Sequence, residues 1–167
     1  MHTAWSSDAQ HSFEEMAFAA KARGMKFIGV SDHTEKNYCW DPNKIEERRL
    51  EAKNASEKIG IPIYAGCETG INLDGTLDWP DEYLNKMDYV IASIHRSHQK
   101  DVAMRLIAAA KHPKVKIIGH PTGRIIGKRE IPDEDWDSVF KVCAKENVLL
   151  EINGARLDLT SDFVRSA

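Results

Sequence analysis

Residues 26–33 read KFIGVSDH, an apolar run that ends in Asp32-His33. A short apolar run bounded by turn signals reads as a buried strand, and this one delivers a carboxylate and an imidazole at its end. The same pattern recurs along the chain. Residues 61–66 (IPIYAG) run into Cys67-Glu68, and residues 89–94 (YVIASI) into His95. Residues 115–119 (VKIIG) run into His120, and residues 148–152 (VLLEI) into Asn153. Between these runs the apolar period is helical. Ser12-Phe13-Glu14-Glu15 is a capping box for a helix that carries Phe13, Met16, Ala17 and Ala20 and stops at Gly24. Asp41-Pro42 opens a second helix, closed by Gly60. A turn at Asp74-Gly75 and a short segment over residues 80–86 precede the third strand. Another helix covers residues 100–111, and Asp133 is expected to cap the next, which runs through Lys145. Strands alternating with helices at intervals of about 30 residues indicate βαβ units and a parallel sheet, so the expected class is α/β.

In a parallel α/β fold the C-terminal strand ends share one face, and sites are built there. His33, Glu68, His95 and His120 are therefore expected to converge. A single histidine after a strand is usually a satisfied loop or core residue. Successive strand ends carrying His, Glu, His and His would crowd imidazoles and a carboxylate together with no structural gain. Metal binding explains the crowding, because neutral imidazole and carboxylate are ligands of zinc, manganese and ferrous iron. No cysteine belongs to the set, which argues against a structural zinc site. Nitrogen and oxygen donors around an open pocket suit hydrolysis, in which clustered ions draw a nucleophile from water and neutralise a phosphate.

The 167 residues are 42% hydrophobic, with 23 Lys+Arg against 26 Asp+Glu. That composition excludes a disordered chain, a collagen and a disulfide-stapled miniprotein. A net charge of −3 gives no global attraction to nucleic acid and leaves only local basic patches for that purpose. No apolar run approaches a membrane span, and residues 1–6 lack the apolar core of a signal peptide. Cys39, Cys67 and Cys143 form no C-x-x-C pair, so reduced thiols in a cytoplasmic setting are expected. With no repeat, linker or low-complexity stretch, residues 1–167 read as one domain.

Taken as a set, these stretches resemble the polymerase and histidinol phosphatase (PHP) domain family, metal-dependent phosphoesterases built on a distorted (β/α)7 barrel. The matching stretches are His2-Thr3-Ala4-Trp5-Ser6, residues 12–16 (SFEEM), residues 30–34 (VSDHT), Gly66-Cys67-Glu68, residues 92–95 (ASIH) and residues 119–124 (GHPTGR). They follow in order over essentially the whole chain. Residues 74–82 (DGTLDWPDE) and the GHPTGR segment, with Glu151-Ile152-Asn153 and residues 156–159 (RLDL), are most similar to the PHP domain of bacterial X-family DNA polymerases.

The resemblance implies a ligand set. His2 matches the second histidine of an opening H-x-H motif, Asp8 the acidic ligand after it, and His33, Glu68, His95 and His120 the next four. The family's sites hold two to three divalent ions, zinc, manganese or iron. The polymerase-linked branch implies a 3′–5′ exonuclease or 3′-end phosphatase acting on DNA 3′ ends in DNA repair, with a polymerase domain in the parent chain. Against the family pattern, Asp8 falls one residue late and Ala9 stands where glycine is usual. The stretch between Asn153 and Arg156 is short, and the first histidine of H-x-H and a closing D-x-H would fall outside residues 1–167. The chain is therefore expected to lack the first strand and the last βα unit, leaving about five to six units of the barrel.

Further candidates follow from residue type. Arg124, Lys128, Arg129 and Arg156 come after strands and suit charge-assisted contacts to phosphate, the alternative being a solvated basic loop. Arg124 is expected to hold phosphate during catalysis, and Lys128 and Arg156 to contact substrate. Trp40, in the loop after His33, is expected to stack on a base, and Trp136 to belong to the core. Cys67 should face away from Glu68 and pack. His98 reads as a solvated loop residue, and His11 and His112 as structural. Two other functions stay open: a small-molecule phosphatase of the histidinol-phosphate type, and a catalytically inactive structural PHP module.

Overall fold

A computed structural model describes residues 1–35 and 40–167, so Cys39 lies outside the described residues. The elements alternate as the sequence pattern requires. Helix α1 (Phe13–Ala22) leads to β1 (Ile28–His33), and α2 (Ile45–Ile59) leads to β2 (Ile63–Gly70). A short α3 (Asp81–Leu84) precedes β3 (Val90–Ser93), and α4 (Val102–Ala110) precedes β4 (Val115–Gly119). Then come α5 (Trp136–Glu146), β5 (Leu149–Leu150) and α6 (Ser161–Ser166). The sheet order is β1-β2-β3-β4-β5, with β1 parallel to β2 and β4 parallel to β5.

The chain divides into two compact units, Met1–Glu68 with Trp79–Val90, and Thr69–Asp78 with Ile91–Ala167. In the first, Ser12 closes the capping box with Glu15, so both orphan amides at the α1 start find partners. The helix buries Phe13, Ala17 and Ala20 against Ile28 and Val30 of β1, Ala52 and Ala55 of α2, and Ile61 and Ala65. Gly60 ends α2 at φ +76, a left-handed conformation that a Cβ disfavours. Tyr89 lies across β1 and β2, its hydroxyl 2.7 Å from Ser31 Oγ. A Cβ built on Gly66 would come within 2.7 Å of both the Tyr89 ring and its backbone oxygen.

In the second unit α4 buries Val102, Leu106, Ala109 and Ala110, and α5 buries Trp136, Val139, Phe140 and Cys143. Phe163 of α6 packs on Trp136 and Phe140 at ring-centroid distances of 5.5 and 5.7 Å. Burial pushes the Cys143 thiol up to about 11, which suppresses the thiolate. Arg105 is also buried. Its guanidinium donates to the carbonyls of Ile71, Asn72, Arg96, Ser97 and Lys100, gathering two loops around α4.

Several boundaries differ from the sequence expectation. β1 runs on through Asp32 and His33, and β2 through Glu68 to Gly70, so these polar residues lie within strands. Parallel pairing, which matches Asp32 with Cys67 and His33 with Glu68, carries the ladder past the apolar stretch. β5 is shorter than residues 148–152, although the Glu151 amide still reaches the Ile118 carbonyl at 2.9 Å. Asp41 caps a turn of 3-10 helix over Pro42–Lys44 before α2 begins. The cap of α5 is Asp135 rather than Asp133, because Asp135 accepts from the Ser138 amide at 3.1 Å.

Gly66→Ala should destabilise the protein by about 1–3 kcal/mol, the usual cost of forcing atoms into a packed interior. Gly154, around which a Cβ meets nothing within 4 Å, supplies the control. The expected result in urea denaturation is a lower midpoint for Gly66→Ala and an almost unchanged one for Gly154→Ala.

Candidate functional site

The chain start lies along β1. The Ser31 amide donates to the Met1 carbonyl at 2.8 Å, and the Thr3 amide and hydroxyl both donate to the Asp32 carboxylate. This anchoring places His2 beside the strand, with its Nδ1 2.8 Å from the Ser31 carbonyl oxygen. A carbonyl only accepts, so Nδ1 carries a proton and Nε2 is the nitrogen left to face a metal. That Nε2 faces Glu68 Oε2 at 3.7 Å.

His33 lies between two carboxylates. Its Nδ1 lies 3.1 Å from Glu35 Oε2, and its Nε2 lies 3.5 Å from Asp8 Oδ2. The His2 and His33 rings stack, with centroids 4.4 Å apart. Donor atoms of His2, Asp8 and His33 all fall within 4.8 Å of one another. Each imidazole thus turns its Nε2 towards a carboxylate, and the His2 ring is held at Nδ1 by an oxygen acceptor. Such outer acceptors fix the tautomer and raise ligand basicity around bound metals, so the donor set fits a divalent cation. Glu35 escaped the sequence reading. Its one signal is an acidic residue two positions after His33, spacing common to many loops.

In the second unit the His95 and His120 rings lie 5.3 Å apart. His120 has φ +30, a strained value for a side chain with a Cβ. Its amide donates to Glu151 Oε2 at 2.7 Å, which helps to hold that conformation. A Cβ on the preceding Gly119 would collide with Ser93 Oγ, so glycine is required at that point of β4. Asp158, fully buried, accepts from the Asn153 amide at 3.3 Å, and burial pushes its carboxyl upward.

A positive field accompanies this pair of histidines. Burial lowers the proton affinity of Arg129, and the charge of Arg156 lowers it further. Among the described residues, neither guanidinium has a carboxylate partner. Arg129 Nε donates to the Gly123 carbonyl, and Arg124 Nη1 lies 3.4 Å from the Leu157 carbonyl oxygen. Lys128 is exposed in the turn closed by the Ile125–Arg129 bridge. His98 is partly buried rather than solvated, and its imidazole is pushed down to about 4, by burial first and then by Arg129, His120 and Arg156.

Trp40 does not offer a face for base stacking. It is buried, with Trp5 and Trp79 edge-on at 5.7 and 5.1 Å and the Arg48 guanidinium 5.0 Å from its ring. The buried charge on Arg48 recruits the indole into the core. Trp136 and Cys67 are buried as expected.

The PHP domain family model matches residues 1–155. The chain is 37% identical over 177 residues to the DNA polymerase/3′-5′ exonuclease PolX of Bacillus subtilis (strain 168), covering 100% of this chain and 31% of that protein. It is 31% identical over 171 residues to a probable phosphatase of Caldicellulosiruptor saccharolyticus, covering 92% of this chain and 64% of that protein. A probable phosphatase of Photobacterium profundum is 30% identical over 168 residues, with 93% and 63% covered. The chain thus spans 31% of the PolX protein and less than two thirds of each phosphatase.

The neutral His98 makes stability depend on pH. With its folded value near 4 against an ordinary 6.5, the unfolded chain takes up the proton first on acidification. Stability from this source is therefore constant above the unfolded value and falls as pH drops from there towards the folded one. Thermal melts between about pH 7 and about pH 5 should show a smaller loss of Tm for His98→Asn than for the wild type.

Proposed function

Because the chain belongs to the PHP domain family, a family of phosphoesterases, we propose that it hydrolyses phosphate esters at DNA 3′ ends with the help of divalent metal ions. The observation that carries this reading is the His2–His33 pair. The two rings stack, and each turns its Nε2 towards a carboxylate, Glu68 or Asp8. In this reading His2, Asp8, His33 and Glu68 ligate metal in the first unit, and His95 and His120 are ligands in the second. Two to three ions of zinc, manganese or iron would make the phosphorus more electrophilic and lower the pKa of attacking water.

The chain's own groups prepare that chemistry. The Ser31 carbonyl orients the His2 ring, and Glu35 lies beside the His33 Nδ1. Arg129 and Arg156, which lack a carboxylate partner among the described residues, accept the negative charge of a phosphate, and Arg124 and Lys128 extend that basic surface. Arg124 holds the phosphate during hydrolysis. His98, neutral beside these cations, adds no repulsive charge.

DNA is favoured because the PolX relative, whose name includes a 3′-5′ exonuclease, aligns over 100% of this chain. In the whole protein a linked polymerase domain, a role in DNA repair and a cytoplasmic location follow from that reading. The relatives named probable phosphatases support a second one, a phosphatase of small phosphate monoesters.

The test is metal loading followed by a substrate comparison. Loaded with manganese, the protein should release nucleotides from single-stranded DNA or a nicked duplex, and a chelator should abolish the release. His33→Ala should lose bound metal together with at least about 100-fold in activity. Hydrolysis of p-nitrophenyl phosphate with DNA ends left untouched would favour the small-molecule phosphatase. Elemental analysis that finds no stoichiometric ion would favour an inactive structural module.

A further inference from the structure

Arg48, on α2, is fully buried, and so is its ion-pair partner Asp32. Arg48 Nε and Nη2 donate to Asp32 Oδ2 at 2.9 and 2.7 Å, and Nη2 also donates to the Gly66 carbonyl at 3.0 Å. The Asp32 carboxylate further accepts the Thr3 hydroxyl at 3.0 Å and the Thr3 amide. The Phe13 and Trp40 rings lie 5.1 and 5.0 Å from the guanidinium carbon and keep water away.

A buried ion pair is a poor route to stability, because desolvating both charges cancels much of their attraction. What the pair holds together is more informative. Thr3 follows His2, Asp32 precedes His33, and Gly66 stands two residues before Glu68. Each tied segment therefore carries a residue of the proposed ligand set. Successive side chains on a strand point to opposite faces, so Asp32 turns into the core while His33 faces Asp8. Neither Asp32 nor Arg48 is itself placed to touch a cation held by His2, His33 and Glu68.

We infer that Arg48 and Asp32 are positioning residues for metal binding. Their shared network sets the spacing of the His2, His33 and Glu68 segments, and through it the affinity and geometry of the site. A positioning role of this kind presupposes the metal reading proposed above.

Cobalt(II) binding by the full chain, followed by titration and by its visible absorption spectrum, tests the role without an activity assay. The double variant Asp32→Leu/Arg48→Met removes both charges and keeps apolar bulk. It should retain its melting temperature to within about 5 °C, bind cobalt about 10–100-fold more weakly and shift the absorption bands. Arg48→Lys keeps the charge without the fork that spans Asp32 and Gly66. It should fold, bind cobalt several-fold more weakly and show the same spectral shift, and it decides the matter if the double variant does not fold. Folded variants that bind cobalt with wild-type affinity and spectrum overturn the positioning role and leave the metal reading intact. A wild-type chain that takes up no cobalt overturns the metal reading and the positioning role with it.

Discussion

A guanidinium and a carboxylate without solvent exposure depend on protein atoms alone for partners, and the first unit supplies them from three separate segments. Arg48 Nε and Nη2 donate to Asp32, Nη2 also donates to the Gly66 carbonyl, and the Asp32 carboxylate accepts from the Thr3 amide and hydroxyl. The chain start is thereby fastened to β1, and α2 to β2. The same demand draws Trp40 inward, since an aromatic face is one of the few apolar surfaces a buried guanidinium tolerates well. The position of His2, the closeness of His33 and the loss of Trp40 as a surface platform have one cause.

The second unit handles its buried cation differently. Arg105 has no carboxylate partner among the described residues and is solvated by backbone carbonyls instead. Those carbonyls come from loops that would otherwise end in unsatisfied acceptors, so the arginine orders them while it is itself desolvated. Burial first, and then the charges of Arg129, His120, Arg156 and Arg105, push the His98 imidazole down. This local basic character has no counterpart in the whole chain, whose net charge is −3.

Much of the fold was legible because its signals are local. The capping box at Ser12, the glycine stop at Gly60 and the apolar runs of the strands each act within a few residues. Boundaries that depend on a neighbour were missed. β1 and β2 extend through their polar ends because each supplies the other's ladder partners, and that information lies in neither segment alone. Site residues followed the same division. Histidines after strands are conspicuous in a sequence, whereas Glu35 becomes significant only once its carboxylate meets the His33 Nδ1. His98 looked solvated because a short polar loop usually is, and burial beside arginines reversed that expectation.

The sequence by itself determined the α/β class, the family and the positions able to supply imidazole and carboxylate, since these rest on residue type, periodicity and spacing. Only the tertiary structure decided which nitrogens of His2 and His33 face carboxylates, which tryptophan is spent on a buried cation and which arginines lack a carboxylate partner among the described residues. Those properties depend on atoms from segments far apart in the chain, brought together by burial, and hydrogen-bond partnership and local dielectric exist only once that burial has occurred.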